Sequence, residues 1–265
     1  MDDSSYKLLK VTVESGVATV TIDNPPINLL SAALTRELVA LTEQADADPG
    51  VRVLIFKSAD PDFFLSHADV HLFLQHEASD SHYALEAFRK LAQFYRSWDK
   101  VTIAQVEGRA SGGGTEFLEA MDMRFAAIGK TFLSHPEVSI GFMPCKGGSQ
   151  RLPELVGRAR ALEIALGGAF VTAEQAETYG LVNRALVPAA LGRFVQQLAR
   201  RIATSSWDSV RYTKRCINAA GTPEGHALEK QLFDRIIATD EAQRRLNEYN
   251  DRIGQQRNKE LRMGL

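Results

Sequence analysis

Apolar and polar residues alternate with a strand-like period at the start of the chain and with a helical period soon afterwards. Over residues 8–22, valine and threonine alternate on either side of the tripeptide ESG (14–16), which predicts two half-buried strands joined by a hairpin turn. Leucines then recur at helical spacing behind Ser31, which is suited to cap a helix that reaches about Ala47. The chain is therefore predicted to begin with a hairpin and a helix.

Short apolar runs and amphipathic segments continue to alternate after this helix. Strands that alternate with helices favour an α/β arrangement over separate all-α and all-β parts. In chain order, the pattern predicts a strand at 51–59, an amphipathic helix at about 80–98, a strand at 101–108, a helix at 113–121, a strand at 123–129, a loop through 134–137, a helix from 147 to about 166, a short helix at 172–181 and a strand at 182–186.

Almost every residue from Leu191 onward fits a helical pattern, and this part of the chain is rich in charged residues. The chain is long enough for one large domain, or for one domain with an appendage. We therefore predict an α/β core at 1–196 and a helical C-terminal segment at 197–265.

The charge balance and the cysteines argue against several classes of protein. A formal net charge of -2 and a sequence pI near 6.3 give no basic field for nucleic acid, so no nucleic-acid partner is predicted. Cys145 and Cys216 fit neither a disulfide framework nor a CxxC metal site, which favours a reducing compartment. The acidic N-terminus lacks an apolar signal core, and no uncharged apolar run approaches the roughly 18 residues of a membrane span. These features predict a cytoplasmic protein without a membrane partner.

Consecutive glycines precede an acidic helix in the segment SGGGTEFLEAMD (111–122). The stretch GRASGGGT (108–115) approaches the phosphate-binding pattern GxxxxGK[ST], but Gly114 stands where that pattern needs a lysine. The dinucleotide-binding pattern GxGxxG does not occur in the sequence. Nucleotide binding is therefore not predicted.

The segment HADVH (67–71) contains side chains that can bind a metal ion. They would lie on one side of the chain only if the segment were extended. No second cluster of histidine or cysteine with ligand spacing occurs in the sequence, and an isolated pattern of this kind is more often a set of solvated polar side chains. No metal site is predicted.

The glycines can instead expose main-chain N–H groups at the start of a helix. A helix N-terminus carries unpaired N–H groups and a partial positive charge, which stabilise an anion that forms on a carbonyl oxygen during a reaction. Gly113 would supply one such donor, and Glu116, one turn later, could accept or donate a proton in the same pocket. Close packing of the helix, with Glu116 on a solvated face, explains the same residues equally well.

A second acidic residue, Glu137, follows a proline in the segment 134–152. Two carboxylates and an anion-stabilising helix start are the parts of a reaction centre. With these residues the sequence resembles the crotonase family, the enoyl-CoA hydratases and isomerases, over about residues 10–190. Five segments carry the resemblance, in this order along the chain: NPPINLLSAALTREL (24–38), FLSHADV (64–70), GGGTE (112–116), HPEVSIGFMPCKGGSQRL (135–152) and ALEIALGGAFVTAEQAETYGLVNRAL (161–186).

The resemblance implies a fold and an assembly. Members of this family form a spiral of repeated ββα turns followed by a helical C-terminal region, and they assemble as trimers or as pairs of trimers. The expected fold class is therefore α/β, a crotonase-like spiral of ββα units, in which 197–265 is a helical oligomerisation segment. A homotrimer, or a hexamer made of two trimers, is the expected assembly.

The resemblance also implies a site for an acyl-CoA thioester. The acyl-CoA would pass between the loop at 66–71 and the helix after the glycines, where the N–H groups of Ala68 and Gly113 would hold the thioester oxygen. Such paired donors stabilise the enolate that forms when a proton is added or removed beside the thioester. Coenzyme A enters as part of the substrate, so no separate cofactor is expected. The substrate-binding residues that the resemblance implies are Ser66, Ala68, Asp69, Val70, His71 and Gly113.

Glu116 and Glu137 occupy the two acidic positions of the hydratases in this resemblance. They favour hydration of a 2-enoyl-CoA to a 3-hydroxyacyl-CoA, a reaction of fatty acid metabolism. Glu116 would deprotonate the water that attacks C3, and Glu137 would deliver a proton to C2. The alternatives are isomerisation, dehydration or decarboxylation on the same scaffold, or a non-catalytic acyl-CoA-binding subunit.

The sequence departs from the family's pattern at several positions near this site. His67 is a bulky residue beside the oxyanion loop, Cys145 stands where a glycine is usual, and there is one extra residue within 132–136. Glu119 is acidic where the family is normally apolar, and we expect it to make a surface or interface contact. The C-terminal tail lacks the family's usual pattern, so it is not predicted to supply a ligand for the CoA phosphates.

Overall fold

The chain forms two sheets in the computed structural model, which describes residues 6–254 and 256–261, and from the third to the eighth strand successive strands alternate between these sheets. The larger sheet has six strands and the smaller sheet has four. The strands that these residues form are β1 (Leu9–Glu14), β2 (Val17–Ile22), β3 (Val53–Ser58), β4 (Phe63–Leu65), β5 (Val101–Val106), β6 (Arg109–Ser111), β7 (Met123–Ala127), β8 (Phe132–Ser134), β9 (Val171–Thr172) and β10 (Arg184–Leu186).

The strand order explains how the two sheets are built together. The larger sheet has the order β1-β2-β3-β5-β7-β10, and the smaller sheet has the order β4-β6-β8-β9. Strands β3, β5 and β7 lie in the larger sheet, and the strand that follows each of them lies in the smaller sheet. Each turn of the chain therefore adds one strand to each sheet before the next helical segment, which confirms the predicted spiral of ββα units.

The chain divides into two compact units, Met1–Ala203 and Thr204–Leu265. Among the described residues, none of the helices combines the length and the apolar character that crossing a membrane requires. The helices that begin in the first unit are α1 (Ala32–Ala47), α2 (His71–Leu74), α3 (Ser79–Ser97), α4 (Gly113–Glu119), a 3-10 helix (Glu137–Ile140), α5 (Gly148–Val156), α6 (Arg158–Gly167), α7 (Ala173–Tyr179) and α8 (Pro188–Thr204).

The hairpin and the first helix form as the sequence pattern predicts. Strands β1 and β2 are antiparallel and are joined by Ser15 and Gly16, which both have positive φ angles, 51° and 80°. Two such residues in succession match the twist of the flanking strands. The side chain of Ser31 caps α1 by accepting the amide N–H of Leu34 at 3.2 Å. Both predictions are confirmed.

Two segments differ from the prediction. The predicted loop at 134–137 contains the end of β8 and the start of the 3-10 helix. The single helix predicted from residue 147 to 166 is divided into α5 and α6 at Gly157. Gly157 has a φ of 79°, which a continuing helix cannot adopt, and a β carbon at this position would meet no other atom within 4 Å. Its glycine is therefore required by the backbone turn and not by packing.

Helix α4 lies wholly in the interior, because all its residues are buried. Phe117 on this helix packs edge-on against Phe56 of β3, with 5.5 Å between the ring centres. Phe56 also contacts the ring of Tyr95, whose hydroxyl lies 3.0 Å from the Thr42 hydroxyl of α1. These contacts tie α4 to the larger sheet and to two covering helices, and they hold the start of α4 in one place.

The second unit is helical. Residue 196, where the sequence pattern suggested a division, lies inside α8, and the two compact units meet between residues 203 and 204. The role of the segment 197–265 in oligomerisation stays a prediction. The helices of the second unit are α9 (Trp207–Asn218), α10 (Gly225–Ile237), α11 (Asp240–Arg252) and α12 (Arg257–Glu260).

Candidate active site

A cavity of about 270 Å³ lies beside the start of α4. Its wall is largely apolar and comes from the loop before α2, from α2 and α3, from the start of α4, and from the segment around the 3-10 helix. Five of the residues that the sequence marked as functional lie together in this wall: Ala68, Val70, Gly113, Glu116 and Glu137.

The amide groups of Ala68 and Gly113 are both available for a ligand. Leu30 pairs with the chain on either side of Ala68, because it donates to the carbonyl of His67 and accepts the amide of Asp69. The amide of Ala68 therefore faces away from this partner. Gly113 is the first residue of α4, where an amide has no partner within the helix. Within the part of the chain that the structure describes, neither amide donates a hydrogen bond.

The three glycines bring these two segments together for different reasons. Gly112 has φ 48° and ψ -120°, a conformation that favours glycine. A β carbon on Gly113 would lie 3.0 Å from the Cβ of Ala68 and 3.3 Å from its amide nitrogen, so the two segments touch. A β carbon on Gly114 would lie only 2.0 Å from the carbonyl oxygen of Leu65. Close packing therefore explains Gly114, whereas Gly113 combines a close approach with an open amide.

Glu116 is buried, with 2% of its surface exposed. Its Oε1 atom accepts the amide N–H groups of Lys146 at 2.6 Å and Gly148 at 2.9 Å. Burial raises the pKa of the Glu116 carboxyl above its ordinary value, although the two amide hydrogen bonds act in the opposite direction. The alternative that placed Glu116 on a solvated face of the helix is wrong.

Glu137 begins the 3-10 helix and lines the same cavity as Glu116. Its Oε1 atom lies over the start of α4, because a β carbon on Gly112 would lie 3.0 Å from it. Its Oε2 atom is buried and has no hydrogen-bond partner among the described residues. The extra residue within 132–136 thus leaves Glu137 in the wall of the cavity.

His135 and Glu119 form a buried pair that the sequence did not predict. Both side chains are shielded from solvent, and Nε2 of His135 lies 2.8 Å from Oε1 of Glu119. Nδ1 of the same ring lies 3.6 Å from Oε1 of Glu137. Burial favours the neutral ring, but the hydrogen bond to Glu119 and the charges of Glu119 and Glu137 outweigh it and raise the pKa of His135 to about 10. The expected surface or interface contact of Glu119 is therefore wrong.

A comparison of the sequence with known protein families identifies the family of this chain. The family model for enoyl-CoA hydratase/isomerase matches residues 12–257 of the chain. The chain belongs to this enoyl-CoA hydratase/isomerase family. The resemblance to the crotonase family that the sequence motifs indicated is confirmed.

Individual members of the family are similar over nearly the whole chain. A protein of Rhizobium meliloti (strain 1021) named "Probable enoyl-CoA hydratase" is 32% identical over 247 residues, which cover 89% of this chain and 92% of that protein. A crotonyl-CoA hydratase of Syntrophomonas wolfei subsp. wolfei is 28% identical over 239 residues, with the same two coverages, 89% and 92%. The crystal structure of an enoyl-CoA hydratase from Bacillus anthracis has a TM-score of 0.86 at 27% identity, and the match covers 92% of this chain and 96% of that one.

In this member of the enoyl-CoA hydratase/isomerase family, some of the predicted substrate-binding residues lie outside the cavity wall. Val70 lines the cavity, but Ser66, Asp69 and His71 do not. Ser66 is buried, and its amide donates to the carbonyl of Asn28 at 3.1 Å. Asp69 accepts the amide of His71 through Oδ1 at 3.0 Å, at the start of α2. Ser66 and Asp69 thus shape the loop around Val70, and their contact with a ligand stays a prediction.

His67 lies in the loop at 66–71 and lines the cavity. Its Nδ1 atom lies 2.8 Å from the carbonyl oxygen of Ala68. Because a carbonyl oxygen only accepts, Nδ1 must carry the proton, and Nε2 of a neutral ring is left as an acceptor. In the described part of the chain, His, Cys, Asp and Glu side chains do not group in threes around a possible metal ion. His67, Asp69 and His71 therefore do not form the metal site that their spacing could suggest.

The arrangement can support a defined kind of chemistry in this family member. Two carboxylates and two open amides line one apolar cavity. Amide donors stabilise negative charge on a carbonyl oxygen, and the carboxylates can move protons to and from nearby atoms. The site therefore has the groups needed for enolate chemistry on a bound thioester.

Proposed function

We propose that this protein is an enoyl-CoA hydratase, which adds water across the 2,3-double bond of a 2-enoyl-CoA and forms a 3-hydroxyacyl-CoA. The observation that carries the proposal is the presence of Glu116 and Glu137 in one cavity with the open amides of Ala68 and Gly113. The name of the crotonyl-CoA hydratase relative supports the same reaction.

The two amides act on the thioester oxygen. When hydroxide adds to C3 of the substrate, negative charge gathers on this oxygen as the enolate forms. The N–H groups of Ala68 and Gly113 would donate to it from fixed backbone positions, so they need no rearrangement during the reaction. Loss of one such donor typically costs about 3 kcal/mol of barrier.

Glu116 acts on the water. Its Oε1 atom is held by the amides of Lys146 and Gly148, which fixes the plane of the carboxylate. Its raised pKa makes the ionised carboxylate a stronger base than that of an exposed glutamate. Glu116 would take one proton from water as the oxygen attacks C3.

Glu137 acts on C2. It comes from a different element of the fold, the 3-10 helix, yet it lines the same cavity as Glu116. In its protonated form it would give a proton to C2 as the enolate collapses to the thioester. The two acids together move one proton each, so water is added with no net change in the charge of the site.

The remaining wall of the cavity fits an acyl chain. An apolar surface stabilises a bound hydrocarbon chain in proportion to the area that it removes from water. The side chains available for this contact are Leu30, Val70, Leu72, Phe73, Leu74, Ala84, Leu85, Phe88, Ile140, Phe142 and Met143.

The proposal is tested with crotonyl-CoA and with longer trans-2-enoyl-CoA thioesters. The conjugated thioester loses its absorbance when water adds, and E116Q and E137Q should each lower kcat by several orders of magnitude. His226→Gln is a matched control, because His226 is exposed and its glutamate neighbour, Glu229, lies 3.8 Å away in the second unit. Absence of hydration with every chain length would contradict the proposal, and a shift of the double bond without water addition would show an isomerase instead.

A further inference from the structure

Three titratable side chains from different elements form a row beside the cavity, in which Glu119 and His135 are buried and Glu137 is 13% exposed. Glu119 ends α4, His135 follows β8, and Glu137 begins the 3-10 helix. The row runs from Glu119 Oε1 to His135 Nε2 over 2.8 Å and from His135 Nδ1 to Glu137 Oε1 over 3.6 Å. The hydration mechanism described above uses only Glu137, the member of the row that reaches the cavity.

The hydrogen-bonding rules determine where protons lie in this row. An ionised Glu119 can only accept, so Nε2 of His135 carries a proton. Nδ1 of His135 then faces Oε1 of Glu137 at 3.6 Å, which is too long for a hydrogen bond but within the range of an ion pair. If neither atom carried a proton, two acceptors would face each other in a buried site, which is costly. One proton therefore belongs to the pair of His135 and Glu137.

The surrounding charges balance an imidazolium at this position. Arg124 of β7 and Arg151 of α5 are buried, and both interact electrostatically with Glu119. Their guanidinium groups donate to main-chain carbonyls, so the structure shows no hydrogen bond from them to Glu119. The acidic and basic groups that interact here are the buried Glu116 and Glu119 and the partly exposed Glu137 on one side, and the buried His135, Arg124 and Arg151 on the other.

We propose that His135, held in place by Glu119, positions Glu137 and shares one proton with it, so that Glu137 is resupplied with the proton that it delivers to C2. The inference rests on the proposed hydration. In the step, the Nδ1–H bond of His135 breaks as an O–H bond forms on Glu137, and this O–H bond then breaks as the C2–H bond forms, which leaves Glu137 ionised. The ring is left neutral, with its other proton on Nε2 and donated to Glu119. After the product leaves, water in the cavity carries the proton that Glu116 took up to Glu137, which passes it to Nδ1 of His135.

Two further observations support this arrangement. The pKa of His135 lies near 10, so the ring holds both protons at neutral pH and can give one away. The row also joins two departures from the family's pattern, because the acidic residue within α4 contacts a residue of the lengthened segment 132–136. His135 in the segment 132–136 thus has its carboxylate partner, Glu119, in α4.

The kinetic test compares E119Q and H135Q with the wild type and with H226Q. Both variants should lower kcat for hydration roughly 10- to 100-fold, less than the 10²- to 10⁴-fold effect of a direct proton-transfer group, while KM changes little. In E119Q the fall of kcat at alkaline pH should move about 1 unit or more towards neutral, because the ring has lost a neighbouring negative charge. H226Q should match the wild type in all three quantities.

A second measurement separates this inference from the proposed function. The protonation of His135 is followed by NMR of the imidazole nitrogens in the free protein, with H135Q used to assign the signals. A ring that stays doubly protonated above pH 8, and that loses a proton at lower pH in E119Q, is the expected result. A ring that is neutral at pH 7, or an alkaline fall of kcat that E119Q leaves in place, would overturn the inference even if the wild type hydrates crotonyl-CoA.

A variant that fails to fold does not decide the matter, so the double variant E119Q/H135Q is included. It removes the carboxylate of Glu119 and the ring of His135 together, so neither is left buried without the other, and it should fold at least as well as either single variant. If the double variant is folded and hydrates at the wild-type rate, the row has no part in the reaction. If it is folded and as slow as H135Q, the two residues act as one unit.

Discussion

The carbonyl oxygen of Leu65 passes so close to the start of α4 that a β carbon on Gly114 would lie 2.0 Å from it. Leu65 ends β4, and Gly114 is the second residue of α4. This contact sets how closely the loop at 66–71, which follows β4, can approach the amides at the start of the helix. The spacing of the proposed donors therefore depends on a residue that has no side chain.

We expect Gly114→Ala to separate β4 from α4. Overpacking of this kind typically costs about 1 to 3 kcal/mol of stability, and hydration should fall further because both proposed donors lie next to the displaced contact. Thermal unfolding and kcat for crotonyl-CoA measure the two effects. Gly167→Ala is the control, since a β carbon there meets no atom within 4 Å and should leave both quantities nearly unchanged. Equal behaviour of the two variants would contradict this account of Gly114.

The buried histidine should make stability depend on pH in a specific range. His135 has a raised pKa in the folded protein, near 10 against an ordinary 6.5, so the folded state holds a proton that the unfolded state releases between these values. Its stabilising contribution is complete below pH 6.5 and is lost as the pH rises towards 10, with a slope of at most about 1.4 kcal/mol per pH unit.

Urea unfolding from pH 6 to pH 9.5 checks this expectation. The difference in unfolding free energy between the wild type and E119Q/H135Q should shrink steadily above pH 6.5, because the double variant lacks the titrating ring. A difference that stays constant across this range would show that the ring is neutral in the folded protein.

Glu116→Gln should separate stability from activity. Burial raises the pKa of Glu116, so ionisation of this group at neutral pH works against folding, whereas a glutamine can still accept the amides of Lys146 and Gly148. We expect E116Q to melt at the same temperature as the wild type or higher, although it hydrates very slowly. In the wild type, kcat/KM should fall at low pH with a midpoint above 4.5, the ordinary value for glutamate. A clearly lower melting temperature for E116Q would contradict this interpretation.

Tyr95→Phe tests the packing that holds α4. The Tyr95 hydroxyl is buried 3.0 Å from the hydroxyl of Thr42, so the variant loses one buried hydrogen bond at a cost of about 1 kcal/mol. Its ring contacts with Phe56 and Phe117 are retained, and kcat should therefore stay close to the wild-type value. Denaturant unfolding and the crotonyl-CoA assay together check both statements, and a large loss of kcat would show that the hydroxyl has a role beyond packing.

Local features of the fold could be predicted where neighbouring residues determine them. The hairpin turn at Ser15 and Gly16 and the cap at Ser31 depend on residues within four positions of one another. The break at Gly157 was missed because α5 and α6 both have helical patterns, and only the positive φ of one glycine separates them. The short strand β8 was missed because its pairing with β6 and β9 comes from distant parts of the chain.

The candidate site shows the same limit. Ala68, Gly113, Glu116 and Glu137 were predicted because motifs mark them, and the structure brings them to one cavity. The partner of Glu119 could not be predicted, because it lies 16 positions away and is brought into contact only when the segment after β8 folds against α4. An acidic residue among apolar neighbours in a buried helix was the one sign available, since a buried carboxylate needs a partner.

The hydrogen bonds that hold Glu116 come from the main chain, which affects what a substitution at residue 146 can alter. The amide of Lys146 holds the carboxylate, and Lys146 is also one of the residues that line the cavity. Substitution at residue 146 can therefore alter which molecules enter without disturbing the orientation of the base. Replacing the side chain of Lys146 is therefore expected to keep this donor to Glu116, because the donor belongs to the backbone.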